Sequence, residues 1–278
     1  MRTALAIIFA AAACAEAPTA PDLREIVRRS VSHHQMNWAV KRQYTCVERT
    51  TEKEFDSSGK LKSNEAKVYD VSILFDEPYE RLIEKNGKPL SGKDDQKERD
   101  KLAKFMEKRA HDTPEQAQKR AAKLEKEREK EVDYLREIPD AYDFRLLGEE
   151  KVDGKDTWII QAEPHPGYQA KQGDAKYFAK IHGKIWIDKA DYQWAKVDAE
   201  TMDTISFGLV LFRLFKGSRL EFEQTRVNDE VWLPKLEKIT AAGRRGLFKK
   251  ASYESLVTFE NFRKFQSDSK IVSASEVK

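Results

Sequence analysis

The residues best able to do chemistry in this sequence are cations set among apolar side chains, which suits binding more than catalysis. Residues 205–215 read ISFGLVLFRLF, with Arg213 as the single charge. A guanidinium there can hold a carboxylate, carbonyl or phosphate of a bound molecule, or pair with a local acid. Phe207, Leu209, Leu211 and Phe215 are apolar on one alternation, and Gly208, Val210, Phe212 and Leu214 on the other. Such a run is either a strand at the mouth of a cavity, meeting lipid, or a strand buried on both faces. Period alone does not choose between them. A second group, Arg244, Arg245, Lys249 and Lys250, surrounds Leu247 and Phe248. That pattern suits an anionic headgroup surface, and equally an exposed hairpin turn with solubilising charge.

Catalytic signatures are missing. The five histidines, His33, His34, His111, His165 and His182, form no His-x-His or His-Glu-x-x-His spacing, and no Cys-x-x-Cys occurs, so neither a metal nor any other cofactor is expected. There is no Gly-x-Ser-x-Gly elbow and no phosphate-binding loop. With 51 basic against 48 acidic residues the net charge is +3, which gives no case for nucleic acid as partner. The expectation is that the protein is not an enzyme; a hydrolase assembled from scattered acids and histidines is the weakest of three readings.

Residues 1–17, MRTALAIIFAAAACAEA, have the charged start, apolar run and small-residue end of a secretory signal peptide. The run is far shorter than the ~20 residues of a membrane span. Cleavage after Ala15 is one outcome, leaving a soluble periplasmic protein; lipidation of Cys14, anchoring it to a membrane, is the other. Cys46 is the remaining cysteine, so no intrachain disulfide staples the mature fold. In the strand-like context Tyr-Thr-Cys-Val it reads as a small buried hydrophobe.

Positioning these residues requires a large sheet. Asp22 and Glu25 form a capping box ahead of Leu23, Ile26, Val27, Val31 and Trp38 at helical spacing, predicting a helix over 22–40. Strands are expected over 44–55, 67–75 and 81–85, with turns at Glu77-Pro78 and Asn86-Gly87. Residues 91–137 hold 14 Lys and Arg against 13 Asp and Glu, a charged helical insertion broken at Thr113-Pro114 into helices over 93–111 and 114–136. Their apolar stripes are narrow, so this hairpin lies on something and is not itself a buried bundle. Its charge is either a solvated face or a partner-docking arm.

Beyond it, strands are expected over 144–151, 156–163, 177–182, 184–188, 194–202, 218–227, 231–241 and 247–262. Asp153-Gly154 is the strongest hairpin signal. In the last strand Ala251, Tyr253, Val257 and Phe259 alternate, which packs one face and leaves the other wet. The fold class is therefore α+β with a single antiparallel sheet. Residues 1–15 read as the signal, 16–265 as one domain and 266–278 as a polar tail.

Two stretches carry a resemblance. Gly-Lys-Ile-Trp-Ile-Asp at 183–188 with Tyr-Gln-Trp-Ala-Lys-Val at 192–197, and Val-Asn-Asp-Glu-Val-Trp-Leu-Pro at 227–234, resemble hairpins of the outer-membrane lipoprotein-sorting (LolA-like) superfamily. The resemblance covers 22–90 and 142–262 and implies an open, curved half-barrel, covered by helices, that accepts acyl chains. The insertion over 91–137 departs from the simplest carriers, and the carrier's functional arginine finds no counterpart.

The sequence thus points to an exported, monomeric envelope protein holding a lipid or acylated lipoprotein against Phe207, Leu209, Leu211, Arg213, Phe215, Trp186 and Trp194. Arg244, Arg245, Lys249 and Lys250 would meet a membrane surface. The alternative is an interaction or sensor module that works through the charged hairpin. About 0.8 kcal/mol per buried CH₂ lets an acyl chain supply most of the affinity without a polar site.

Overall fold

In the computed structural model, residues 21–75, 77–171, 173–207, 212–245 and 249–264 are described. The capping box at Asp22 forms in part: its Oδ1 accepts the Glu25 N–H at 3.1 Å, and helix α1 (Leu23–Lys41) follows. Four strands come next, β1 (Tyr44–Phe55), β2 (Leu61–Leu74), β3 (Glu77–Lys85) and the short β4 (Lys88–Pro89). The insertion folds as α2 (Gly92–Ala110) and α3 (Pro114–Asp133), close to the expected bounds. Thr113 caps α3 reciprocally, donating its N–H to Gln116 Oε1 at 2.8 Å while its hydroxyl accepts the Gln116 N–H at 3.3 Å. A 3₁₀ turn over Tyr134–Glu137 and the short α4 (Ile138–Ala141) lead back to the sheet.

The remaining strands are β5 (Tyr142–Val152), β6 (Lys155–Pro164), β7 (Ile181–Asp188), β8 (Trp194–Thr201), β9 (Ile205–Phe207), β10 (Phe212–Leu214), β11 (Arg219–Val227), β12 (Val231–Arg245) and β13 (Lys249–Lys264). All thirteen belong to one sheet, in the order β4-β3-β2-β1-β13-β12-β11-β8-β7-β6-β5, with β10 attached to β12 and β9 to β10. Every pairing is antiparallel. The sheet is open, so the α+β class with a single antiparallel sheet holds. Asn86-Gly87 and Asp153-Gly154 both take positive φ at their two residues, 50° and 74°, and 52° and 80°, as a two-residue hairpin requires.

Three expectations are corrected. Residues 174–180 form a 3₁₀ helix, where a strand over 177–182 was expected. Its three-residue repeat aligns Ala175 and Phe178, both buried, against Tyr134 and Tyr142. Glu77 and Pro78 lie inside β3, opposite Leu74 and Ile73, where the missing proline N–H falls at a sheet edge. Gly183 sits within β7, and a Cβ there would meet Asp198 O at 2.4 Å. The glycine marks close strand approach and not a turn.

The main core lies between α1, α4, the two 3₁₀ segments and strands β5 to β8. Ile26, Val27 and Val31 of α1 pack there on Ile160, Ile185, Ile187 and Trp194. Full burial of such side chains is worth roughly 1.5–3 kcal/mol each, which is what holds α1 on the sheet. The hairpin of α2 and α3 sits elsewhere, at β3, where the Phe105 ring lies 4.9 Å from Tyr79 and 6.4 Å from Phe75.

Candidate functional site

Register fixes which side chains share a face, because directly opposed residues on antiparallel strands point the same way. Val197 of β8 packs into the core beneath α1. Its row continues through Phe222, Glu237, Val257 and Thr50. The next row runs Ala199, Leu220, Ile239, Ser255 and Glu52. On β1, β2 and β3 the same face carries Glu48, Tyr69, Val71, Glu80 and Leu82. Helix α1 ends at Lys41, whose charge acts on Glu237, and past that point the face is no longer under α1. There Leu220, Ile239 and Tyr253 remain 41%, 40% and 36% exposed.

The opposite face is built differently. Lys196 pairs with Glu223, Lys238 with Glu221, Arg219 with Asp198, and Arg49 with Glu260. Cross-strand ion pairs of this kind are what a wet sheet face carries. The apolar face is therefore the one a folding chain would normally cover, and here it is covered by α1 over part of its width.

Of the expected binding residues, Trp186 and Trp194 project from opposite faces of the sheet. Trp194 lies in the core, stacked on His34 with ring centroids 5.0 Å apart. Trp186, one residue from the core-facing Ile185 and Ile187, projects from the opposite face. It packs on Ala195 and Trp232 and donates its Nε1–H to Glu150 Oε1 at 2.6 Å. Phe207 ends β9, and Leu209 and Leu211 lie outside the described residues. Phe215 is half-buried, and its N–H donates to Ala242 O at 2.8 Å. Arg213, on β10, keeps a buried Nε without a partner among the described residues. Residues 1–20, Cys14 included, also lie outside the described part.

The cations, by contrast, are brought into register. Arg213 stands opposite Arg244, which stands opposite Lys250, and Arg245 stands opposite Lys249.

The hairpin motifs that carry the resemblance are occupied in building the fold. Asp188 Oδ1 accepts the N–H groups of Ala190 and Asp191 at 2.8 and 3.0 Å, closing the turn, and burial raises the pKa of this carboxyl. Asp191 Oδ2 accepts from Trp232 Nε1 and Arg226 Nη1, both at 2.8 Å, which ties the two motif hairpins to each other. Asn37 of α1 bonds both backbone groups of Trp232, at 2.6 and 2.9 Å. Asp191→Ala leaves the Trp232 Nε1–H without its acceptor and Arg226 with Asp229 alone in a three-quarters-buried site, and is expected to cost about 2 kcal/mol. Urea unfolding checks it; a midpoint equal to that of the parent chain would contradict the linkage.

Other titratable groups have their roles limited by burial. Burial, with a smaller contribution from Glu48, raises the Cys46 thiol to about 11, so it stays protonated near neutrality and is a poor nucleophile. Glu237 and Glu48 are both shifted upward, chiefly by burial. Among the described residues no three His, Cys, Asp or Glu side chains are placed to hold a metal ion, and no helix is long and apolar enough to cross a membrane.

Together these features define a class: an open antiparallel sheet whose apolar face is part core, part wet. No protein-family model matches the chain, and no curated protein matches it. The solved structures similar to it include one described as a putative outer membrane lipoprotein-sorting protein domain from Vibrio parahaemolyticus, at 11% identity over 88% of this chain and 95% of that one, TM-score 0.35. Another is a LolA superfamily protein from Nitrosomonas europaea, at 8% identity over 88% and 93%, TM-score 0.28. A third is MucB in complex with MucA(peri), at 9% identity over 89% and 100%, TM-score 0.25.

Proposed function

We propose that this chain is an exported binding protein of the cell envelope that holds the hydrocarbon of a lipid or an acylated lipoprotein against the helix-bearing face of its sheet. The observation that carries the reading is the wet continuation of the core: Leu220, Ile239 and Tyr253 share a face with Val197 and Ile185 yet stay exposed. Hydrocarbon laid there gains about 0.8 kcal/mol per CH₂ without needing a polar partner. The cations brought into register at 213, 244, 245, 249 and 250 suit an anionic membrane surface, at about 1 kcal/mol each near the headgroups. They would bring the apolar face to the lipid.

Native mass spectrometry of the chain purified from membranes tests the proposal. The parent protein is expected to carry lipid, and Ile239→Lys to lower the occupancy about tenfold, the equivalent of about 1.4 kcal/mol. Lipid-free parent protein, or equal occupancy in the variant, would overturn the reading.

A further inference from the structure

We infer that the joined ends of β9, β10, β12 and β13 form an arm that enters an anionic lipid bilayer end-on, with cations at the level of the headgroups and two apolar connections below them. This rests on the membrane-facing part of the reading above and states how the bilayer is held. Strand β12 runs on past its last partner in β11, Thr240 opposite Arg219, to Arg245. Strand β13 begins at Lys249 but meets β1 only from Ser252, opposite Phe55. The β12–β13 hairpin thus projects beyond the strands on either side, β12 by about five residues, roughly 17 Å. Along that stretch the ladder partner of β12 is β10, through Phe212 with Arg245, Arg213 with Arg244 and Leu214 with Gly243, and β9 lies on β10. Gly243 admits the approach, since a Cβ there would collide with the Arg213 carbonyl.

Both connections at the end of the arm are apolar. Residues 208–211, between β9 and β10, read Gly-Leu-Val-Leu, and residues 246–248, between β12 and β13, read Gly-Leu-Phe. They lie outside the described residues, but the pairs that close them, Phe207 with Phe212 and Arg245 with Lys249, are described. The pairing of Phe212 with Arg245 sets the two closures side by side. Behind them come the cations. Arg213, Arg244 and Lys250 share one row of the ladder, and Arg245 and Lys249 belong to the next. Successive rows belong to opposite faces, so the charge forms a collar around the arm. A membrane met by the flat of the sheet would call for cations on one face only.

The charge of the arm has no acid of its own to balance it. Residues 205–217 and 240–253 hold six Lys and Arg and no Asp or Glu, in a chain with 48 acids. The acids that flank these stretches are engaged elsewhere: Asp203 with Lys180, Glu221 with Lys238, Glu254 with Lys53, and Glu237 with the charge of Lys41. On the adjoining strand ends Asp198 pairs with Arg219 and Glu54 with Lys62, and Asp56 accepts the N–H groups of Ser58 and Lys60. Arginine and lysine grouped in this way attract a phosphate-bearing surface. A soluble polyanion would use the cations and leave Leu209, Val210, Leu211, Leu247 and Phe248 in water, whereas a bilayer takes up apolar side chains beneath its headgroups.

The test is co-sedimentation of the full chain with vesicles of phosphatidylcholine alone and with about 30% phosphatidylglycerol. The anionic vesicles are expected to bind about tenfold more tightly, and the double variant Arg244→Gln, Lys250→Gln to lose that advantage. Salt at about 1 M, where the screening length falls to about 3 Å, should weaken binding of the parent chain without abolishing it. Leu247→Ser with Phe248→Ser should bind anionic vesicles about tenfold less tightly at low salt and not at all at high salt. An unchanged urea midpoint confirms the fold of each variant, and the salt series needs no variant. Parent binding abolished by salt, or a serine variant that binds as the parent does, overturns the inference and leaves adsorption by charge alone. Dextran sulfate bound as tightly as the anionic vesicles overturns it in favour of a soluble polyanion, and absence of vesicle binding overturns it outright. Lipid occupancy by native mass spectrometry is read separately, so hydrocarbon binding on the sheet face can stand where docking fails, or fail where docking stands.

Discussion

Replacing Glu77 by alanine is expected to release the α2–α3 hairpin from the sheet while leaving the main core folded. Glu77, at the start of β3, pairs with Arg109 of α2 at 2.9 Å and with Arg120 of α3, and both arginines also reach Asp112 in the connection between the helices. All four side chains are largely buried, at 12% exposure for Glu77, 18% for each arginine and 14% for Asp112. Two guanidinium groups held by two carboxylates balance in charge. Removing one carboxylate leaves two buried cations to share Asp112. Breaking a buried pair costs about 3–5 kcal/mol, and the surviving partner places this case at the low end, about 3 kcal/mol.

Among the described residues, the other ties of the hairpin to the sheet are few. Among the described residues the ring contacts of α2 are those of Phe105, and other charges of the helix pair locally, as Arg99 does with Asp95 and Lys101 with Glu98. Both pairs lie within α2, the second with Glu98 buried, so neither ties the helix to the sheet. Native-state hydrogen exchange is the measurement: amide protection in 92–133 should drop by about two orders of magnitude in Glu77→Ala, with protection in β6 to β8 unchanged. Equal loss in both regions would mean that the hairpin and the sheet unfold as one unit.

That clamp also shows what was legible in sequence. The two helices and their break at Thr113-Pro114 could be read because capping chemistry is local: Thr113 and Gln116 are three residues apart. The surface the hairpin lies on could not, since Glu77 is 32 residues from Arg109 and is one of 48 acids. The same divide runs through the candidate site. Alternation in β13 was readable, and Tyr253, Val257 and Phe259 do share a face. Which neighbours complete that face depends on register between strands far apart in the chain, as β1 with β13.

Trp186 and Trp194 illustrate the cost of lacking register. Both are aromatic, both sit in motif hairpins, and nothing local to either says that they project from opposite faces. An irregularity in the β7–β8 pairing between Trp186 and Ile187 intervenes, and such bulges change which residues face which way. The 3₁₀ segment at 174–180 was missed for a related reason. Tyr-Phe-Ala favours a strand by composition, but burial of Ala175 and Phe178 against Tyr134 and Tyr142 comes from segments well before it in the chain.

Acid is expected to destabilise the chain through His34. On α1, His34 stacks on Trp194 with an interplanar angle of 20°, and its Nδ1 is buried without a hydrogen-bond partner among the described residues. Burial first, and the Lys41 charge second, lower its pKa from 6.5 to about 4. The sign follows from which state holds the proton. Between pH 6.5 and 4 the unfolded chain binds it and the folded chain does not, so stability rises with pH across that window. The contribution is complete above 6.5 and is lost as pH falls through about 4; at 1.36 kcal/mol per pKa unit it amounts to about 3 kcal/mol.

Other groups titrate in the same range, and not all in the same direction. The raised carboxyls of Glu48, Glu237 and Asp188 are relieved by protonation, whereas the lowered ones of Asp153 and Glu230 lose their partners in acid. The comparison with His34→Phe isolates the histidine, because phenylalanine keeps the stack and removes the proton site. Urea unfolding from pH 7 to pH 4 should cost the parent chain about 3 kcal/mol more than the variant; parallel stability curves would contradict the account. The loss should appear first in α1, because the protonated ring would sit between that helix and Trp194. Loosening α1 uncovers the part of the apolar face it occupies, so acid would weaken the fold and widen the candidate binding surface by the same step.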